Sequence, residues 1–271
     1  MPASSMELIR ARKSVRTFQP VPLREEDLKA LEAYTSSLSN PFGVPVTFRI
    51  LSASEHGLSS PVIVGADTYV AAKVQRVPGC EMAYGYSFEK FCLYALSLGI
   101  GTVMLAASLS RAAFEKAMDV REGEVMPVAS PVGYPAQKPS IREGLLRKGL
   151  KADGRKPFES LFFDGPFERG LTEARSGIFR DALEAARWAP SAGNQQPWRA
   201  VLRDGKVHFF EAKTMRESPL GDVQKVDVGI ALSHFDMVLE EMGIRGQYVV
   251  SDPNMTLPEH TEYLVTFEKT E

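Results

Sequence analysis

The 271-residue chain is poor in the side chains that reactive sites usually need. It holds two cysteines, Cys80 and Cys92, and four histidines. The cysteines form no metal or redox motif. Cys92 stands in an apolar stretch and reads as a buried free thiol, which fits a reduced, cytoplasmic protein. His56, His208, His234 and His260 have no metal-ligand spacing; His208 on a strand and His234 on a helix read as structural. No Gly-x-Ser-x-Gly elbow, phosphate loop or strand-borne dinucleotide fingerprint occurs. Apolar runs are too short for a membrane span, and the first residues lack the apolar core of a signal peptide. Lys+Arg is 32 against Asp+Glu 34, a net charge of −2, which argues against a general binder of nucleic acid or anionic membrane. With so few acid, base or nucleophile candidates, enzymatic chemistry here would have to come from a cofactor.

What the chain does have is internal repetition. Leu31-Glu32-Ala33, then Ser/Asn/Pro punctuation, then Pro45 to Leu51 parallels Leu183-Glu184-Ala185, similar punctuation and Pro197 to Leu202. Each reads as helix, turn, strand. Gly85, Phe88, Phe91, Leu98, Gly99 and Ile100 match Gly229, Leu232, Phe235, Met242, Gly243 and Ile244 at one constant offset. Both segments read as helices ending at a left-handed glycine, each followed by β-rich runs. The expected fold is α+β with mixed or antiparallel sheets. Two related half-domains, 1–136 and 171–271, flank a basic crossover at 137–170.

The halves differ where chemistry would sit. Only the first has the run Arg10 to Phe18, with four cations and two hydroxyls. It reads either as a phosphate site or as a solvated basic helix end. Only the second has Ala189-Pro190-Ser191-Ala192-Gly193-Asn194-Gln195-Gln196-Pro197-Trp198. Pro190 stops a helix. Small residues then let backbone approach a ligand, and Asn194 and Gln196 offer amides suited to a planar heterocycle. Trp198 reads as core. Ala106 and Ala107 end a strand with little side chain. Lys138 and Arg142 either add cations to an anion site or lie in solvent.

Arg12-Lys13-Ser14-Val15-Arg16-Thr17-Phe18 resembles the N-terminal signature of the nitroreductase family of flavoproteins, and Ala189 to Trp198 resembles that family's flavin-binding turn. Leu98 to Thr102 and Gly133-Tyr134-Pro135 resemble later landmarks. Typical members are homodimers holding FMN between the basic signature of one subunit and the turn of the other. Here the order resembles a subgroup with two half-domains fused in one chain. The resemblance implies an intramolecular pseudo-dimer, one FMN per chain and a possible monomer. Arg12, Lys13, Ser14, Arg16 and Arg142 would face the phosphate and ribityl side. Pro190, Ser191 and Asn194 would lie against the isoalloxazine, and the Ala106–Ala107 backbone near its hydride-accepting nitrogen. NAD(P)H would be the transient reductant in a ping-pong hydride mechanism, and a small nitroaromatic or quinone the acceptor. A non-catalytic FMN-binding carrier or sensor, or flavin-dependent dehalogenation or dehydrogenation, remains open. Gly65 to Tyr86 and Met215 to Val226 are the expected lid segments.

Overall fold

The computed structural model describes residues 3–138, 140, 143, 144, 149 and 154–270. The first half runs α1 (Ser5–Ala11), α2 (Glu25–Ser37), β1 (Val46–Ser52), α3 (Ala53–His56), β2 (Thr68–Gln75), α4 (Cys80–Ser97), β3 (Gly101–Thr102), α5 (Arg111–Ala117), β4 (Glu124–Val125) and β5 (Ala129–Gly133). The second runs β6 (Phe162–Asp164), α6 (Arg180–Arg187), β7 (Trp198–Arg203), β8 (Lys206–Ala212), α7 (Val223–Glu241), β9 (Gly246–Val249) and β10 (Thr261–Lys269). Each half builds its own sheet. The first has the antiparallel order β1-β2-β5-β3 with β4 against β2; the second has β6-β7-β8-β10-β9.

Two long helices form the centre. α4 and α7 are apolar around most of their circumference, as helices with packed neighbours on every side must be, and they pack along one another. Glycine at the crossing is obligatory. A Cβ on Gly85 would lie 1.9 Å from the carbonyl oxygen of Val226, and one on Gly229 2.2 Å from that of Met82. Val226 and Met82 are related by the same offset as Gly229 and Gly85. The contact is therefore reciprocal, as across a two-fold axis between identical subunits, but made within one chain.

The halves also exchange core residues. Ile9 of α1, with Met82, Tyr86 and Leu93 of α4, belongs to the hydrophobic cluster of the second half, and Val226 of α7 to that of the first. α1 carries a capping box between Ser4 and Glu7, a local start signal that holds its orphan amides. The Ser5 amide then donates to Glu241 at 2.9 Å, tying α1 to the end of α7.

Two regions differ from the sequence expectation. The crossover is more than a basic connection: Phe162–Asp164 adds a parallel edge strand to β7, and Phe158, Leu161 and Phe162 are buried. Its aromatic density supplies apolar area that a solvated connection would waste. Gly65 to Tyr86 is no lid. It contains β2, the central strand of the first sheet, and the first turns of α4.

Candidate functional site

The basic run and the turn converge on one cavity of about 220 Å³ between the halves. Because α1 is anchored in the far half, the segment after it must cross the groove. There it docks in extended form: Val15 N–H donates to Thr102 O at 2.9 Å, and Phe18 N–H to Val64 O at 2.8 Å. Gly101 is required for this, since a Cβ there would sit 2.9 Å from the Val15 side chain. Glu143 accepts from the Arg16 amide at 3.1 Å and from the Thr17 hydroxyl at 2.7 Å. Along this segment Val15 is buried, while Arg12, Lys13, Ser14 and Arg16 reach the cavity wall.

The opposite wall is the turn after α6. Pro190, Ser191 and Asn194 all line the cavity. Gly193, Asn194 and Gln196 have positive φ of 58°, 55° and 51°, a conformation that is strained for non-glycine residues. Side chains hold the strain in place. Ser191 Oγ accepts from Gln196 N–H at 2.8 Å, Gln196 Oε1 accepts from Lys156 N–H at 2.8 Å, and Asn194 Nδ2 donates to Gly154 O at 3.0 Å. Ser191 and Gln196 thus shape the turn from within, and Trp198 beneath it is core, 1% exposed.

The surroundings of the predicted residues differ. Lys13 is exposed. The Arg12 side chain is buried, its Nε 3.1 Å from Glu89, whose carboxylate also accepts from His234 Nε2 at 3.0 Å. Arg12 therefore neutralises a buried carboxylate as well as facing the cavity. Ala106 lines the cavity, whereas Ala107 is exposed and does not. Lys138 is exposed, and Arg142 lies outside the described residues.

Sequence reasoning missed several lining residues. Arg155 and Arg10, the latter included in the basic run without a role of its own, sit over the Trp188 ring at 5.3 and 5.6 Å and extend the basic wall outward. Val103, Met104, Val226 and Ile230 supply an apolar floor. Asp227 is the one carboxylate among the described lining residues; its Oδ2 accepts from Ala192 N–H at 3.0 Å. A readable signal existed for it, a charged residue within the apolar run Val226-Asp227-Val228. Among the described residues no group of three His, Cys, Asp or Glu could hold a metal ion, and no helix is long and apolar enough to cross a membrane.

The same offset leads to a second cavity, of about 690 Å³. Tyr86 and Tyr248 occupy the places of Ile230 and Met104, and Ser39 to Pro41 that of the flavin-type turn. Here the chemistry is mixed. Both tyrosine hydroxyls donate to Asp236, at 2.9 and 2.7 Å, and Lys90 lies 3.9 Å from Glu240. The lining cations are Lys90 and Arg245, set against Asp236 and Glu240. The first cavity instead sets five cations against Asp227.

Two sheets, two reciprocally crossed central helices and a strongly basic cleft between the halves define a fused nitroreductase-like fold. Residues 4–238 match the family described as "Putative TM nitroreductase", and the chain belongs to that family. Membership supports an oxidoreductase. The fold is similar to that of a putative nitroreductase from Thermotoga maritima, with 21% identity, a TM-score of 0.63 and coverage of 98% of this chain and 94% of that one. A putative NADH dehydrogenase/NAD(P)H nitroreductase from Bacteroides thetaiotaomicron matches at 23% identity and TM-score 0.41, over 50% of this chain and 90% of that one. In sequence, an "NADH dehydrogenase" of Thermus thermophilus is 38% identical over 78 residues, 26% of this chain and 38% of that relative's length.

Proposed function

We propose that the chain is an FMN-dependent oxidoreductase that takes hydride from NAD(P)H and passes electrons to a small electrophilic acceptor of the nitroaromatic or quinone type. The observation that carries this reading is the convergence of Arg12, Lys13, Ser14 and Arg16 from one half with Pro190, Ser191 and Asn194 from the other on a single cavity. The donor set suits FMN: cations for a phosphate, an apolar floor for a ring system and small turn residues that permit close backbone approach. FMN, when bound, would supply the hydride chemistry that no side chain here can. Arg12, Lys13 and Arg16 would hold the phosphate, and Arg10 and Arg155 keep the mouth electropositive, which favours an anionic electron donor. The turn and the apolar floor would orient the ring and exclude water.

One FMN per chain is expected. The second cavity would oppose a phosphate with Asp236 and Glu240, whose charges offset Lys90 and Arg245. Both walls of the first cavity belong to one chain, which supports a monomer as the functional unit.

The test is purification followed by anaerobic addition of NADH or NADPH, with flavin absorbance as readout. Bound flavin that bleaches supports the reductase. Bound flavin that neither nucleotide reduces favours a carrier or sensor. Failure to bind FMN at all overturns the reading.

A further inference from the structure

Asp227 stands apart in its cavity. It is 4% exposed, on the first turns of α7, in a cavity otherwise lined by cations, apolar groups and the neutral polar Ser14, Ser191 and Asn194. Its Oδ2 accepts from Ala192 N–H in the turn. Around it the structure gathers more negative charge than positive. Glu211 on β8 is fully buried, and neither of its oxygens has a hydrogen-bond partner among the described residues. Asp222 caps α7 by accepting from Gln224 N–H at 3.0 Å, with Lys213 Nζ 3.0 Å from its other oxygen. Lys225, on α7 itself, is engaged by Glu262 at 3.0 Å. Across the cavity stand Arg10, Arg12, Lys13, Arg16 and Arg155.

Three buried carboxyls beside two lysines, one of them already paired with Glu262, cannot all stay ionised at low dielectric cost. Burial drives the Asp227 carboxyl well above its ordinary range; the Ala192 N–H opposes this, and Asp222 and Glu211 add to it. A neutral carboxyl has two distinct oxygens. The carbonyl oxygen can accept the Ala192 N–H, which leaves one O–H to donate.

We propose that Asp227 acts as a carboxylic acid, donating a hydrogen bond to the planar cofactor in the cavity while its other oxygen fixes the turn through Ala192. This rests on the FMN reading. It makes Asp227 a specificity-determining residue: it would select a ligand that presents an acceptor at the α7 wall and would disfavour a negative charge there less than an ionised carboxylate would.

The sign follows from the linkage. Binding draws on the protonated form, so affinity is full at low pH and falls as pH rises and Asp227 ionises. The experiment titrates apoprotein with FMN by fluorescence quenching from pH 6.5 to 9 in wild type, Asp227→Asn and Asp227→Ala, with circular dichroism to confirm folding. The wild type should weaken as pH rises, by about tenfold once Asp227 is ionised, because the hydrogen bond is then lost and a carboxylate faces the ligand. Asp227→Asn keeps an acceptor for Ala192 and a donor for the ligand, so its affinity should vary less with pH and exceed that of Asp227→Ala throughout. Equal pH slopes in wild type and Asp227→Asn would overturn the role of Asp227 and leave FMN binding standing. Absence of FMN binding in every variant at every pH would overturn the FMN reading itself, and the proposal with it.

Discussion

Arg12 illustrates how burial changes the meaning of a residue. In the sequence it is one cation among four; in the structure its side chain is 6% exposed and paired with Glu89, which is fully buried. Removing one partner of such a pair leaves an uncompensated charge and costs about 3–5 kcal/mol. Arg12→Ala should therefore lower the unfolding midpoint sharply, and with it any FMN affinity. Lys13→Ala, at an exposed position, should reduce FMN affinity with the midpoint nearly unchanged. Equal thermal stability of the two variants would contradict the burial argument. Glu211 adds a pH prediction. Burial, with help from Asp222, pushes its carboxyl up to about 7. Below about pH 4.5 the group is protonated in folded and unfolded chains alike. Between there and pH 7 only the unfolded chain releases the proton, so stability falls as pH rises, and above 7 the penalty is complete. Glu211→Gln should raise stability at pH 8 by about 1–2 kcal/mol and change little at pH 4.5. Urea unfolding at the two pH values reads this directly, and an equal gain at both would sink it.

Among the secondary elements, the α4–α7 crossing was the most legible in advance. The matched positions from Gly85 to Ile100 and from Gly229 to Ile244 located both helices and their glycine stops, and Gly99 and Gly243 do take positive φ of 76° and 72°. Sequence periodicity could not say that Gly85 and Gly229 face each other's helix backbone, because close approach leaves no trace in hydrophobic pattern. The crossing predicts an energetic signature. Gly85→Ala and Gly229→Ala should each cost about 1–3 kcal/mol by overpacking, and more if the helices cannot shift. Once one methyl has pushed the helices apart, the second meets less resistance, so the double variant should cost less than the sum. Full additivity in a double-mutant cycle would mean that the two contacts relax independently. The turn at 189–198 was also legible, since its density of Pro, Gly and Asn encodes local backbone geometry. Arg155 and Trp188 were not, and Arg10 and Asp227 were visible only as charges, because their place on one cavity wall depends on which distant surfaces meet. β6 was hidden for the same reason: three residues of strand form only because β7 offers a parallel edge.

On the scale of the whole molecule, the two halves are separate in sequence but not in their cores. Ile9, Met82, Tyr86 and Leu93 come from the first half and are buried in the cluster of the second, and Val226 does the reverse. A fragment covering 154–271 would expose the face of α7 that packs on α4 and lose the apolar plug supplied by α1. Each large buried side chain lost costs about 2–5 kcal/mol, against a net stability of about 5–15 kcal/mol for a typical domain. That fragment expressed alone should fail to fold cooperatively and should bind an apolar dye, and so should 1–144. Co-expressed, the two should recover a cooperative unfolding transition, since the reciprocal Gly85–Val226 and Gly229–Met82 contacts need no covalent link. FMN binding should return only with both pieces present, because one supplies Arg12 to Arg16 and the other the turn. A 154–271 fragment that unfolded cooperatively on its own would show that the halves are autonomous domains and that the shared core is dispensable. Binding of FMN by either piece alone would show that the cavity between them is not where the cofactor sits.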